Sequence, residues 1–108
     1  MTDVELIVVQ TSFDTKEEAQ KMAQSLVKNK LSACVHMDHV ESFYEWNGEL
    51  SQSMEYRLQI KTLKSNYEEL EAFIVKEHSY DLPEIISFII DNSLKSYSQW
   101  VESELTKG

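Results

Sequence analysis

Apolar and polar positions alternate with two different periods along this chain, and the changes of period mark its elements. The opening run DVELIVVQTS (3–12) is β-branched, apolar on both faces and too short for a typical helix, so it predicts a buried central strand. Asp14 and Thr15 then signal a helix start, and Thr15 with Glu18 three positions later forms a capping-box pair. In TKEEAQKMAQSLVKNK the residues Ala19, Met22, Ala23, Leu26 and Val27 recur at helical spacing. One apolar stripe faces a sheet, and the lysines face water.

From Leu31 the period becomes two. Leu31, Ala33, Val35 and Met37 face one way, while Cys34, His36 and Asp38 face the other. Around Asp38–Glu41 the alternation slips, since Val40, Ser42, Tyr44 and Trp46 share the parity that was polar, and this predicts a bulge or bend. Asn47-Gly48 is a strong hairpin signal. The return strand alternates regularly, with Met54, Tyr56, Leu58 and Ile60 opposite Glu55, Arg57, Gln59 and Lys61.

KSNYEELEAFIVKEH predicts a second helix, capped by Ser65 and Glu68 and burying Tyr67, Leu70, Phe73 and Ile74. IISFII (85–90) predicts a buried strand, and KSYSQWVESELTKG a last short helix turning Tyr97, Trp100 and Val101 inward, with Leu105 at its margin. Pro83 ends the second helical run and fixes entry into the strand that follows. The order β-α-β-β-α-β-α resolves most simply as an α+β fold, a ferredoxin-like βαββαβ sandwich with an extra C-terminal helix. Both main helices then cover one sheet face, and the apolar remainder of the other face predicts a homo-oligomer.

Composition sharpens this picture. A chain of 108 residues suits one domain, 1–108, and with only two glycines and one proline it leaves little room for disorder. Nineteen acidic against ten basic residues give a net charge of −9, which repels phosphate backbones and anionic lipid. Nucleic acid and membranes are therefore not expected partners, and cations are favoured. The single cysteine, Cys34, excludes an intramolecular disulfide and fits a reducing compartment. With an acidic N-terminus and no long apolar run, a cytoplasmic protein is expected.

Few residues carry recognisable chemistry. His78, at a helix end, can ligate copper, zinc or nickel, or it can simply cap the last carbonyls. Cys34, His36 and Asp38 share a strand face at spacing two, which suits one ion or, equally, a small buried cysteine beside polar edge residues. Glu55 and Lys61 lie roughly 20 Å apart along one strand, too far to pair with each other. Tyr44, Trp46, Tyr97 and Trp100 could form a stacking wall, although such aromatics more often anchor a core or an interface. With glycines only at 48 and 108 there is no dinucleotide fingerprint, and no P-loop or nucleophile elbow is present. An enzyme is not expected.

The segments KLSACV (30–35), SFYEWNGEL (42–50), EYRLQIKT (55–62), HSYDLPEI (78–85) and YSQW (97–100) together resemble the CutA-type divalent-cation tolerance proteins, in order and spacing. The resemblance implies a homotrimer whose long hairpins join sheets across subunits, and a role in tolerance of divalent metals, chiefly copper. It implies metal binding at inter-subunit clefts, with Cu(II) as the ion, His78 as anchor and Cys34, Glu55 or Glu84 assisting. Glu55 of one subunit would approach His78, Tyr80 or Glu84 of a neighbour, with Tyr44, Trp46, Lys61, Pro83 and Trp100 as further cleft or interface residues. Two departures stand out: Gln10 and Thr11 occupy the place where members credited with copper ligation can carry a cysteine, and Asp38-His39 replaces the usual Pro-Gly with one residue fewer. Trimers of this fold also suit a PII-like small-molecule sensor, or a scaffold that anchors a partner protein without a small ligand.

Overall fold

The computed structural model describes residues 4–106. Its elements are β1 (Leu6–Phe13), α1 (Lys16–Lys28), β2 (Cys34–Trp46), β3 (Glu49–Leu63), α2 (Tyr67–Glu77), β4 (Ile86–Ile90) and α3 (Lys95–Leu105). The strands form one antiparallel sheet in the order β2-β3-β1-β4, as expected of a ferredoxin-like sandwich. Asp3 of the first predicted strand and Lys107-Gly108 of the last predicted helix lie outside the described residues.

Thr15 caps α1, its hydroxyl oxygen accepting from the Glu18 amide at 3.2 Å. The far end closes as a Schellman motif: Leu31 N–H donates to Leu26 O at 2.9 Å and Lys30 N–H to Val27 O at 3.2 Å. Lys30 takes the left-handed position, φ 61°, that glycine usually fills, and Leu31 folds back into the core beside Leu26. That closure explains why the next strand begins at Cys34 rather than Leu31. Val27, expected on the apolar stripe, is exposed. Ser65 does not cap α2: it lies in a 3-10 turn, Lys64–Asn66, ahead of the helix, and the N-cap Asn66 makes no side-chain cap bond.

Asn47 and Gly48, at φ 53° and 78°, form the two-residue loop between the paired Trp46 and Glu49, the positive-φ pattern of a type I′ turn. No bulge interrupts β2. One register runs from Cys34↔Lys61 to Trp46↔Glu49. The parity changes because the hairpin outruns the rest of the sheet: β1 ends at Phe13, opposite Tyr56, and beyond that point no helix supplies a core.

Ile7, Val9, Leu58 and Ile60 face α1 and α2 and form the main core with Ala19, Met22, Leu26, Leu70 and Ile74. On the opposite face Leu6 and Leu63 pack with Val101 of α3, joined at the margin by Ile90, Tyr97 and Leu105. Since α3 covers only one end of that face, the expectation of a buried fourth strand differs from the single subunit. β4 is an exposed edge, and Phe88 and Ile89 keep 53% and 62% of their surface. Trp100, expected inward, is likewise 42% exposed.

Thr11 sits in the main core opposite Leu58, fully buried, and its hydroxyl has no hydrogen-bond partner among the described residues. An unsatisfied buried hydroxyl costs stability. Thr11→Val is therefore expected to stabilise the fold by about 1 kcal/mol. A urea midpoint that falls rather than rises would contradict this account.

Candidate cation-binding cleft

The site is assembled where β1 stops, α2 ends and the long hairpin leaves the body. His78 follows α2 directly, with an extended backbone (φ −78°, ψ 142°) and its N–H still bonded to Ile74 O at 2.9 Å. Its imidazole is buried and stacked on Phe13, with centroids 4.1 Å apart and planes 10° from parallel. Nε2 lies 2.8 Å from Ser12 O, and Nδ1 is 3.1 Å from the Tyr80 amide nitrogen. A carbonyl can only accept and an amide N–H can only donate, so the ring is the neutral Nε2–H tautomer. Burial pushes the His78 pKa below its ordinary value, against the opposing pull of the Ser12 carbonyl and the charges of Glu18 and Glu55.

His78, expected as the metal anchor, is held in the single chain as a structural group. Both ring nitrogens are engaged inside the chain, and no lone pair points outward for a metal. His78 instead ties the 78–85 loop to the end of β1.

Glu55 is buried just past the point where β3 loses its β1 neighbour. Its Oε2 accepts from the Tyr80 hydroxyl at 2.8 Å and its Oε1 from Ser42 Oγ. Tyr80 also packs against the His78 ring, centroids 4.8 Å apart. Burial, and then the Glu55 hydrogen bond, raise the Tyr80 phenol above its usual range, so it remains a donor at neutral pH. Glu55 thus reaches Tyr80 within its own chain and needs no neighbour for that contact.

Between this loop and the hairpin lies a cleft of about 580 Å³. Ser42, Tyr44 and Trp46 line one side, Asp81 and Glu84 the other, with Glu55 and Tyr80 at the root. Among the described residues no lysine, arginine or histidine contributes to the lining. Pro83 stays in the loop between the two exposed carboxylates without lining the cleft, and Trp100 sits on α3 beside Tyr97, 5.8 Å between ring centroids.

The second expected cluster is spread out instead of converging. Arg57 holds Asp38 in a bidentate pair at 2.7 and 3.1 Å and keeps its carboxyl below the usual range. The Lys61 ammonium donates to His36 Nδ1 at 2.6 Å. Cys34 is a half-buried free thiol in register with Lys61. Among the described residues no three His, Cys, Asp or Glu side chains come together as a metal site. Gln10, in the place of the absent cysteine, lies 3.4 Å from Gln59, and Thr11 faces the core.

Sequence reasoning missed Ser42, Asp81 and the Ser12–Phe13 step of β1. Asp81 adjoins the singled-out Tyr80, but a bond spanning 66 residues, His78 to Ser12, leaves no periodic trace.

The family model described as CutA1 divalent ion tolerance protein matches residues 7–104. The divalent-cation tolerance protein CutA of Pyrococcus horikoshii is 33% identical over 102 residues, covering 94% of this chain and all of that protein. Among solved structures, CutA from Synechococcus elongatus superposes with a TM-score of 0.93 at 29% identity, over 98% of this chain and 95% of that one. CutA1 from Oryza sativa does so with a TM-score of 0.93 at 32% identity, over the full length of both chains.

Proposed function

The chain belongs to the CutA1 divalent ion tolerance family, and from that premise we propose that it binds a divalent cation in a cleft completed by a second copy of the chain, within a homotrimer. It acts by binding, without catalysing a reaction. The observation that carries this reading is the cleft lining: Glu55, Asp81 and Glu84 contribute carboxylates, and the nearby Arg57, whose charge reaches Glu84, is already held by Asp38 in a bidentate pair outside the lining. The overall charge of −9 favours the same sign of ligand.

Carboxylate and hydroxyl oxygens take hard and borderline divalent ions, and among these Cu(II) stands high in the affinity order at nitrogen and oxygen sites. Cu(II) is therefore the ion to expect in a purified sample. An anionic signalling ligand would meet like charge in this cleft. His78 serves the site indirectly, by fixing the loop that bears Asp81 and Glu84.

Asp81 and Glu84 are exposed and can be neutralised without disturbing the core. A calorimetric titration with Cu(II) is expected to show affinity falling by about tenfold or more in the Asp81→Asn/Glu84→Gln double variant. Equal affinity in the two proteins would remove the cleft as the metal site.

A further inference from the structure

The cleft is larger and more aromatic than a bare metal ion requires. A divalent ion draws its ligands to about 2.0–2.6 Å, whereas this space measures about 580 Å³, within the range of small-molecule sites. Tyr44 and Trp46 project two residues apart from one strand face and line it. A hydrated inorganic ion has little use for such rings. A cation carrying alkyl groups gains both from their faces and from their apolar area.

We infer that the cleft takes a small organic cation, a primary alkylammonium, seated between the Tyr44 and Trp46 rings and the carboxylates of Asp81 and Glu84. This rests on the reading of the cleft as a cation site and names a second ligand class for it. Both Glu55 oxygens are already occupied by Tyr80 and Ser42, so Asp81 and Glu84 supply the charge the ligand meets. Ser51, also in the lining, offers a hydroxyl oxygen to an N–H donor. The same chemistry could be carried by a free polyamine or by a lysine side chain of another protein.

The test is calorimetry on the full chain with cadaverine, with its uncharged diol counterpart, and with a short lysine-containing peptide. Cadaverine or the peptide is expected to bind and the diol not to. Whichever of the two binds more tightly identifies the source. Trp46→Leu keeps apolar area but removes the ring face, and it should weaken binding by about tenfold or more, while Trp46→Phe restores most of it. Equal ammonium binding in the leucine variant, or diol binding as tight as cadaverine, overturns the inference. Copper binding with no ammonium binding removes this inference alone, and no binding of either removes the cation reading of the cleft.

Discussion

Replacing His78 by alanine is expected to lower the stability of the fold by about 3 kcal/mol while leaving the Cu(II) stoichiometry unchanged. The imidazole is buried against Phe13, and its removal opens a cavity of the kind that costs a few kcal/mol in a packed interior. It also strips the Ser12 carbonyl and the Tyr80 amide of their partners. A buried group left unbonded costs about 1–3 kcal/mol beyond the lost packing. Urea unfolding measures the first effect and a copper titration of the folded variant the second. An unchanged midpoint together with a lost copper equivalent would return His78 to the role of ligand.

The same residue gives the fold a pH dependence of definite sign. Burial lowers the His78 pKa in the folded state below the 6.5 of an unperturbed imidazole. As pH falls through 6.5 the unfolded chain therefore takes up this proton first, and stability declines with falling pH until the folded pKa is passed. The contribution is fully present above pH 6.5 and diminishes below it. His78→Phe retains the stack on Phe13 without a titrating group. The difference in stability between the two proteins should narrow or reverse on acidification from neutral pH. A difference independent of pH would mean that the folded imidazole titrates as it does in the unfolded chain.

Local chemistry made much of the fold legible: the order of elements, the Asn47-Gly48 turn and the Thr15 cap each depend on residues close in sequence. The errors have a common physical origin. An apolar helical stripe reads as buried, yet Val27 and Trp100 are exposed because burial depends on what lies across from the residue. Lys30 in a left-handed conformation carries no composition signal, since that place is normally glycine's. For the site, residue types were legible and their engagement was not. Glu55 and Tyr80 were both singled out, but only the path of the loop shows that they bond within one chain. His78 has the side chain of a ligand and the hydrogen bonds of a structural group.

The exposed fourth strand leads to the second large effect: if the 12.6 kDa chain assembles as the proposed homotrimer, Phe88→Asp is expected to convert it into single chains. Phe88 lies opposite Val8 on the sheet face that α3 leaves bare, on an edge strand whose outer side pairs with no other strand among the described residues. An apolar edge of this kind either pairs with another chain or invites aggregation. The hairpin beyond Tyr56 is a two-stranded ribbon without a third neighbour, a unit only marginally stable in isolation, and it too requires a surface to rest on. A homotrimer meets both requirements at once. Burying a phenylalanine is worth about 1.5–3 kcal/mol, and a carboxylate in its place adds a desolvation cost. Threefold symmetry repeats that penalty at every interface, so one substitution suffices for dissociation at micromolar concentration. Gln20→Asp, the same change of charge on the exposed side of α1, should leave the mass unaltered. Light scattering reads all three proteins. A native mass of one chain would remove the homotrimer, and a Phe88→Asp variant that stays assembled would place the contact elsewhere. Dissociation with retained secondary structure would show that the main core under α1 and α2 folds each chain while the bare sheet face assembles them.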